Sequence, residues 1–331
     1  MNNKNYNLMS KGLIIVQIPA KNEEKTIGKV IRRVPRKINN HRVKVLVIND
    51  ASKDNTAKVA KDAGADYIFD KKISEGLGSA FKTGIDACLR LGADIIVNID
   101  ADNQFNPEDI PKLVTPILRN EADMVTASRF LKPELTKNMP WIKKWGNKRF
   151  TKLINKITGQ KFTDTQCGFR AYSKESALRL NLKGKFTYTQ EVFIDLIEKG
   201  MKIEEVAVPV VYFKKRDSMV SGNLRRYGLK SVAIIGRATR DTQPLSFFGT
   251  PGLILLILGI LGGLISFVYW FINLATTPIR TLLNISIFFT IAGISLIILA
   301  LLADMMKSIK TNQDEILFRL KKSEYENNRG R

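Results

Sequence analysis

From Thr242 to Ile279 the chain runs 38 residues without an Asp, Glu, Lys or Arg, and after Arg280 a further 23 follow from Thr281 to Ala303. A surface helix of a soluble domain carries a charged face, and these stretches have none. Crossing roughly 30 Å of hydrocarbon takes about 20 apolar residues, a length both stretches reach. The reading is a pair of transmembrane helices at about 251–274 and 281–303. With 331 residues in all, enough chain precedes them for a sizeable folded domain. Tyr269, Trp270 and Phe271 toward one end of the first stretch suit an aromatic belt at a membrane interface.

The charge balance is 53 Lys plus Arg against 31 Asp plus Glu, a formal net charge of +22. Such an excess fits nucleic acid or anionic lipid, and its placement separates the two. Lys214, Lys215, Arg216, Arg225, Arg226, Lys230, Arg237 and Arg240 precede the first apolar stretch. Lys307, Lys310, Arg319, Lys321 and Lys322 follow the second, and Arg280 alone lies between. By the positive-inside rule this is a hairpin with both flanks and both termini cytoplasmic, and anionic lipid is the partner of the basic excess. No nucleic-acid-binding module is recognisable. Met1 to Gly12 is polar and reads as no signal peptide, so the first 240 or so residues are expected in the cytoplasm. Cys88 and Cys167 read as free thiols. The expected organisation is a cytoplasmic domain at 1–222, a juxtamembrane segment at 223–247 that reads as an amphipathic interfacial helix or equally as a solvated linker, two membrane helices within 248–304, and a tail helix at 305–331 in which Asp314 to Glu326 suits self-association in a homo-oligomer.

Between residues 13 and 127 short apolar runs alternate with amphipathic stretches, the pattern of a mainly parallel α/β sheet. The runs are Leu13 to Ile18, Val43 to Ile48, Asp66 to Phe69, Asp94 to Ile99 and Asp123 to Thr126. Ile27, Val30, Ile31 and Val34 recur at helical spacing and make one buried stripe. Asp54 reads as the cap of the next helix. A basic helix, Trp141 to Thr158, a polar loop, Gly159 to Gly168, and a helix from Glu191 to Gly200 follow, with an apolar run at Val206 to Phe213.

Open parallel sheets bind ligands beyond the carboxyl ends of their strands, so chemistry is sought at those junctions. One of them reads Asn98-Ile99-Asp100-Ala101-Asp102-Asn103-Gln104. In extended chain, i and i+2 share a face, so Asp100 and Asp102 are placed to grip one hard divalent cation with Gln104 as a further oxygen donor. The same residue types also build solvated strand-end turns. Glu75-Gly76-Leu77-Gly78-Ser79-Ala80 opens a helix whose free amides favour anions, and equally makes a tight turn.

Taken in order, Ile18-Pro19-Ala20-Lys21-Asn22-Glu23-Glu24, Asp50-Ala51-Ser52-Lys53-Asp54-Asn55-Thr56, Gly76-Leu77-Gly78-Ser79-Ala80, Asp100-Ala101-Asp102-Asn103-Gln104 and Thr165-Gln166-Cys167-Gly168-Phe169-Arg170 resemble the motif set of glycosyltransferase family 2, and within it the dolichyl-phosphate mannose synthase group. The resemblance covers roughly residues 12 to 240. It implies a GT-A type nucleotide-sugar-binding domain, inverting transfer, and Mg2+ or Mn2+ as cofactor. It also implies that Pro19, Ala20 and Glu23 line the nucleoside pocket, that Asp50 faces the base, and that Gly78 and Ser79 complete the donor site. Asp100, Asp102 and Gln104 would hold metal and diphosphate, and Arg129 of Ser128-Arg129 would be a phosphate ligand. Where such synthases place a basic residue and a hydroxyl for the lipid phosphate, this chain has Lys143 and Asn147. Their Arg-x-x-Gly-x-Ser appears here as Arg216-Asp217-Ser218-Met219-Val220-Ser221, with Met219 in the glycine position.

The expected reaction passes a hexose or N-acetylhexosamine from a GDP- or UDP-linked sugar to dolichyl or polyprenyl phosphate. Metal and Arg129 would stabilise the departing diphosphate, with Asp102 and Arg129 as the catalytic pair. A phosphate monoester is anionic at neutral pH and attacks without a dedicated base, provided Lys143, Arg129 and Arg216 hold it in place. A hydroxyl acceptor such as a growing polysaccharide instead needs a general base, for which Glu191 or Asp164 is available, and more spans for a conduit. A tethered binding protein with a degenerate site would take up metal and nucleotide without turnover.

Overall fold

The computed structural model describes residues 12–137, 139–182, 188–211, 236, 240–275 and 277–327. The chain divides into two compact units, Met1–Arg216 with Ile316–Arg331, and Asp217–Glu315. Arg216 and most of 223–247, expected to form an amphipathic segment, lie outside the described residues.

In the first unit an eight-stranded mixed sheet is built from β1 (Leu13–Ala20), β2 (Lys37–Ile38), β3 (His41–Asn49), β4 (Tyr67–Asp70), β5 (Ile95–Asn98), β6 (Met124–Ser128), β7 (Arg170–Ser173) and β8 (Ile203–Ala207). Its order is β2-β3-β1-β5-β7-β6-β8, with β4 also paired to β3. The pairings β1·β3, β1·β5, β3·β4 and β6·β8 are parallel. Those of β2 with β3, and of β7 with both β5 and β6, are antiparallel. All five expected strands are present, within a residue or two at each end. β7 was not anticipated, and β8 overlaps only the start of the apolar run noted at Val206 to Phe213, spanning Ile203 to Ala207.

β1 is apolar except for Gln17 because both its faces are covered. Ile14, Val16 and Ile18 point into the core that α1 (Ile27–Arg33) shares through Ile27, Val30 and Ile31 and α4 (Ile110–Leu118) through Ile110, Leu113, Val114 and Ile117. Gln17, one residue out of phase, faces α3 (Leu77–Arg90), where a Cβ on Gly84 would collide with its amide. α2 (Thr56–Asp62) has Asn55 at its cap position, and the expected cap Asp54 acts from one residue earlier, its carboxylate accepting from Thr56 N at 3.0 Å. α5 (Trp141–Thr158), α6 (Lys174–Arg179) and α7 (Thr189–Glu198) complete the unit. Both cysteines are buried and free.

The second unit is dominated by α8 (Thr250–Asn273) and by α9 (Arg280–Asn327), each long and apolar enough to cross a membrane. They meet along small residues. A Cβ on Gly293 would stand 2.6 Å from Leu256 N, and one on Gly259 would meet Thr290, so the two backbones touch where glycine permits it. A separate tail helix from 305 is not formed. The charged tail continues α9 without a break, and its last turns group with the first unit. There Tyr325 Oη donates to Asp86 at 3.1 Å, Glu324 pairs with Arg90 at 3.1 Å, and Arg179 lies 4.0 Å from the Phe318 ring centre.

Candidate active site

Because β1, β3 and β5 are parallel in register, Ala20, Asn49 and Asn98 end on one edge of the sheet. β7 runs the other way between β5 and β6, so its first residue, Arg170, and the loop before it return to that same edge. β6 ends there with Ser128, followed by Arg129. The sheet thereby gathers residues from five separate motifs along one rim, and two clusters form.

The first cluster surrounds Asp50, which is 5% exposed. Its carboxylate accepts from Ser74 Oγ at 2.6 Å and pairs with Lys71 Nζ at 3.3 Å. Lys71 also donates to Ser79 Oγ at 2.9 Å, and Lys21 donates to Ser74 Oγ at 2.8 Å. Pro19 and Ala20 lie buried in the strand behind it. Gly78 and Ser79 occupy the first turn of α3, which starts after Gly76 at φ 97°, a left-handed conformation glycine adopts without strain. Asp50 and Ser79 therefore belong to one hydrogen-bonded group with Lys71 at its centre.

The second cluster is built on Asp100 and Asp102. Burial first, and then the negative charge of Asp102, push the Asp100 carboxyl up to about 7, with Glu23 adding to the rise and Arg170 and Arg129 opposing it. Asp102 Oδ1 accepts from Gln104 N at 3.0 Å, which folds the chain back after the strand, and Gln104 O accepts from Val211 N at 2.9 Å. The loop holding Gly168 packs against Asp100: a Cβ there would lie 3.0 Å from Asp100 Oδ2 and 3.3 Å from Tyr188 Oη. Asn98 fixes that loop, donating to Gly168 O at 2.8 Å and to Tyr188 Oη at 2.9 Å. Among the described residues no group of three or more acidic, His or Cys side chains is assembled for a metal. Two neighbouring carboxylates that repel one another nevertheless suit a divalent ion that takes its remaining oxygens from a ligand.

Arg129 forms an ion pair with Asp164. Its Nε and Nη2 reach Asp164 at 2.6 and 3.0 Å in a two-pronged contact, and Asp164 is fully buried. Burial alone would raise the Asp164 pKa, but Arg129, the Asn147 amide at 2.7 Å and the Arg129 amide together hold it below the ordinary Asp value. The Asp164 backbone N–H in turn donates to Glu205 at 2.9 Å.

Two expectations are corrected here. Asn147 is 2% exposed, with its amide donating to Asp164 and its carbonyl accepting from Thr151 Oγ1 at 2.9 Å, so it braces Asp164 instead of reaching an acceptor phosphate. Asp164, named as a possible base, is ionised and enclosed by donors, the opposite of what a general base needs. Lys143 is exposed on the first turn of α5, and Glu191 is half-buried on the first turn of α7. Two residues were not singled out beforehand. Lys71 carries no motif signal, and its role shows only once β4 pairs with β3. Arg170 closes a quoted motif; it is fully buried, donates to Thr165 O and Thr189 O, lies 4.7 Å from the Phe193 ring centre, and supplies Asp100 with positive charge.

A mixed sheet that collects acidic, basic and glycine-rich loops on one rim in this way is a GT-A type domain. Residues 15–180 match the family model described as glycosyl transferase family 2, and the chain belongs to that family. The UDP-N-acetylglucosamine–dolichyl-phosphate N-acetylglucosaminyltransferase of Methanococcus voltae is 33% identical over 242 residues, spanning 67% of this chain and 94% of that protein. The polyprenol monophosphomannose synthase of Mycolicibacterium smegmatis is 28% identical, over 68% of this chain and 89% of that one. Among solved structures, glucosyl-3-phosphoglycerate synthase from Mycobacterium tuberculosis, in complex with Mn2+, UDP-glucose and phosphoglyceric acid, superposes with a TM-score of 0.53 at 23% identity, covering 69% of this chain and 79% of that one. The likeness to that structure is one of fold.

Proposed function

We propose that this glycosyltransferase moves a hexose or N-acetylhexosamine from a GDP- or UDP-linked sugar to a polyprenyl phosphate at the cytoplasmic face of a membrane, in which α8 and α9 form a hairpin. The observation that carries the reading is the pair of carboxylates, Asp100 and Asp102, close enough for the charge of one to raise the pKa of the other, on the rim that also carries Arg129 and Arg170. Asp100 and Asp102, with Gln104, would hold Mg2+ or Mn2+, whose charge would offset that of the departing diphosphate. Glu23, Asp50, Gly78 and Ser79 would receive the nucleoside and phosphates. Lys71, drawing Asp50, Glu75 and Ser79 together, orders that donor pocket.

On the acceptor side, Arg129 is held by Asp164 in one orientation, so part of its charge is fixed in place before any substrate arrives. Lys143, and Arg216 beyond the described residues, would add positive charge for an incoming phosphate monoester. Beside Arg129, a groove of about 480 Å3 is lined by Phe130, Pro133 and Phe162 together with Lys144, Lys148 and Lys152, a mixture suited to an isoprenoid chain with an anionic head. The names of the relatives from Methanococcus and Mycolicibacterium support a polyprenyl acceptor.

The test is transfer itself. Membranes containing the protein, supplied with Mg2+ or Mn2+, labelled GDP- and UDP-sugars and polyprenyl phosphate, are expected to move label into the organic phase. A lack of lipid-linked sugar with every donor, alongside normal nucleotide binding, would leave a tethered binding protein as the better reading.

A further inference from the structure

α5 is unlike the other helices of its unit. In 18 residues it carries Lys143, Lys144, Lys148, Arg149, Lys152 and Lys156 and not one Asp or Glu. Its buried side is narrow, consisting of Asn147, Thr151 and Ile154. At 100° per residue, Ile142, Trp145, Arg149 and Lys156 fall on the opposite side, away from the core, with Trp141 and Lys152 at its edge, while Lys148 lies on the flank that lines the groove. Trp141 is 74% exposed, Trp145 57% and Ile142 44%. Two tryptophans presented together on one helical turn of a water-soluble surface are unusual, since large apolar side chains exposed as a patch mark a contact surface.

The chemistry of the patch selects its partner. Indole rings prefer the headgroup level of a bilayer, where an apolar ring sits below and its N–H finds water or carbonyl oxygen. The cations on the same side extend along the next three turns, and Arg149 already lies 5.3 Å from the Trp145 ring centre. Long basic side chains beside apolar ones are the composition of a helix lying flat in an anionic interface. An acidic protein partner would answer the charges but gives no reason for the aromatic turn; a neutral apolar partner answers the turn but not six uncompensated cations. Anionic phospholipid answers both.

We propose that α5 rests on the bilayer surface, with Trp141, Ile142 and Trp145 seated among the headgroups of anionic phospholipid and Arg149, Lys152 and Lys156 over their phosphates. The contact belongs to the catalytic unit itself and does not depend on α8 and α9 crossing the membrane. It also reaches the site, because Asn147 on the inner side of the same helix donates to Asp164, which holds Arg129. Docking the helix would therefore steady the arginine from behind.

Trp141, Trp145 and Trp270 are the only tryptophans in the chain, so W270F leaves emission from α5 alone. The full-length W270F protein, placed in nanodiscs of phosphatidylcholine with or without phosphatidylglycerol, is read by quenching with shallowly brominated lipid and with aqueous acrylamide. With phosphatidylglycerol present, bromolipid quenching is expected to rise at least about twofold and acrylamide quenching to fall correspondingly, and adding R149E and K156E to W270F should abolish that gain. Hydrogen exchange on the unmodified chain provides a second reading, with the α5 amides slowing when phosphatidylglycerol is added. Emission that stays fully accessible to acrylamide in every lipid, or burial that appears in detergent and grows with protein concentration, would overturn the proposal, the latter in favour of a second copy of the chain. None of these readings uses sugar transfer, so they stand or fall separately from the acceptor assignment.

Discussion

Asp100 and Asp164 are the same residue type on the same rim of the same sheet, yet their protons are held in opposite ways. Asp100 is pushed up to about 7 by burial and the facing charge of Asp102, while Asp164, more deeply buried by exposure, is held below the ordinary value. Partners make the difference. Asp164 receives a two-pronged arginine, an amide side chain and backbone N–H groups, whereas the charges acting on Asp100 include another carboxylate at close range. Burial alone does not determine what a carboxylate does; the donors delivered to it by neighbouring elements do. One acid is built into the framework, and the other sits beside a second carboxylate that raises its pKa.

The strongest test of this contrast is to remove the framework acid. Asp164→Ala leaves Arg129 facing a buried gap, and is expected to cost about 3–5 kcal/mol in denaturant melts of the full chain. Asp100→Asn relieves repulsion and should leave the melting midpoint unchanged or higher; equal destabilisation by both would break the comparison. Asp102→Asn is expected to reduce sugar transfer by about a hundredfold or more with the fold intact, measured on purified protein by circular dichroism and label transfer. Asn147→Ala is a smaller change. It removes one donor to Asp164, with an expected cost of about 1–3 kcal/mol and a fall in turnover larger than any change in donor KM, since the donor pocket around Asp50 is untouched.

The weakest effect is the pH response of Asp164. Its folded pKa is depressed, so its contribution to stability is fully present above the ordinary Asp value of 3.8. It is lost as pH falls from there through the lower folded pKa. Unfolding free energy of the native chain should drop across that acidic window, and the slope should be shallower in Asp164→Asn.

What was legible in the sequence follows the same division. The rim at β1, β3 and β5 could be read because each strand is a run of β-branched residues stopping at acidic and amide side chains, a local signal. β7 is four residues long, Arg170-Ala171-Tyr172-Ser173, and has no such signal; its antiparallel place is imposed by β5 and β6 on either side. Asn147 could be seen as a departure from a family hydroxyl, but its partner lies 17 residues away on a loop whose path no local pattern specifies. Lys71 was missed for the same reason, being an ordinary lysine until strand pairing aims it at Asp50. The apolar stretches were legible by length, whereas the merging of the second with the charged tail was not, since a helix that leaves one environment for another keeps its backbone bonds while its pattern of side chains changes.

The account rests on the pair at the end of β5 taking up one divalent ion together with a nucleotide. Electron paramagnetic resonance titration of Mn2+ into the full-length protein with GDP or UDP present reads this directly. A single bound ion per chain that is lost in both Asp100→Asn and Asp102→Asn is the expected result, and the same Mn2+ uptake in these variants as in the native protein would contradict it.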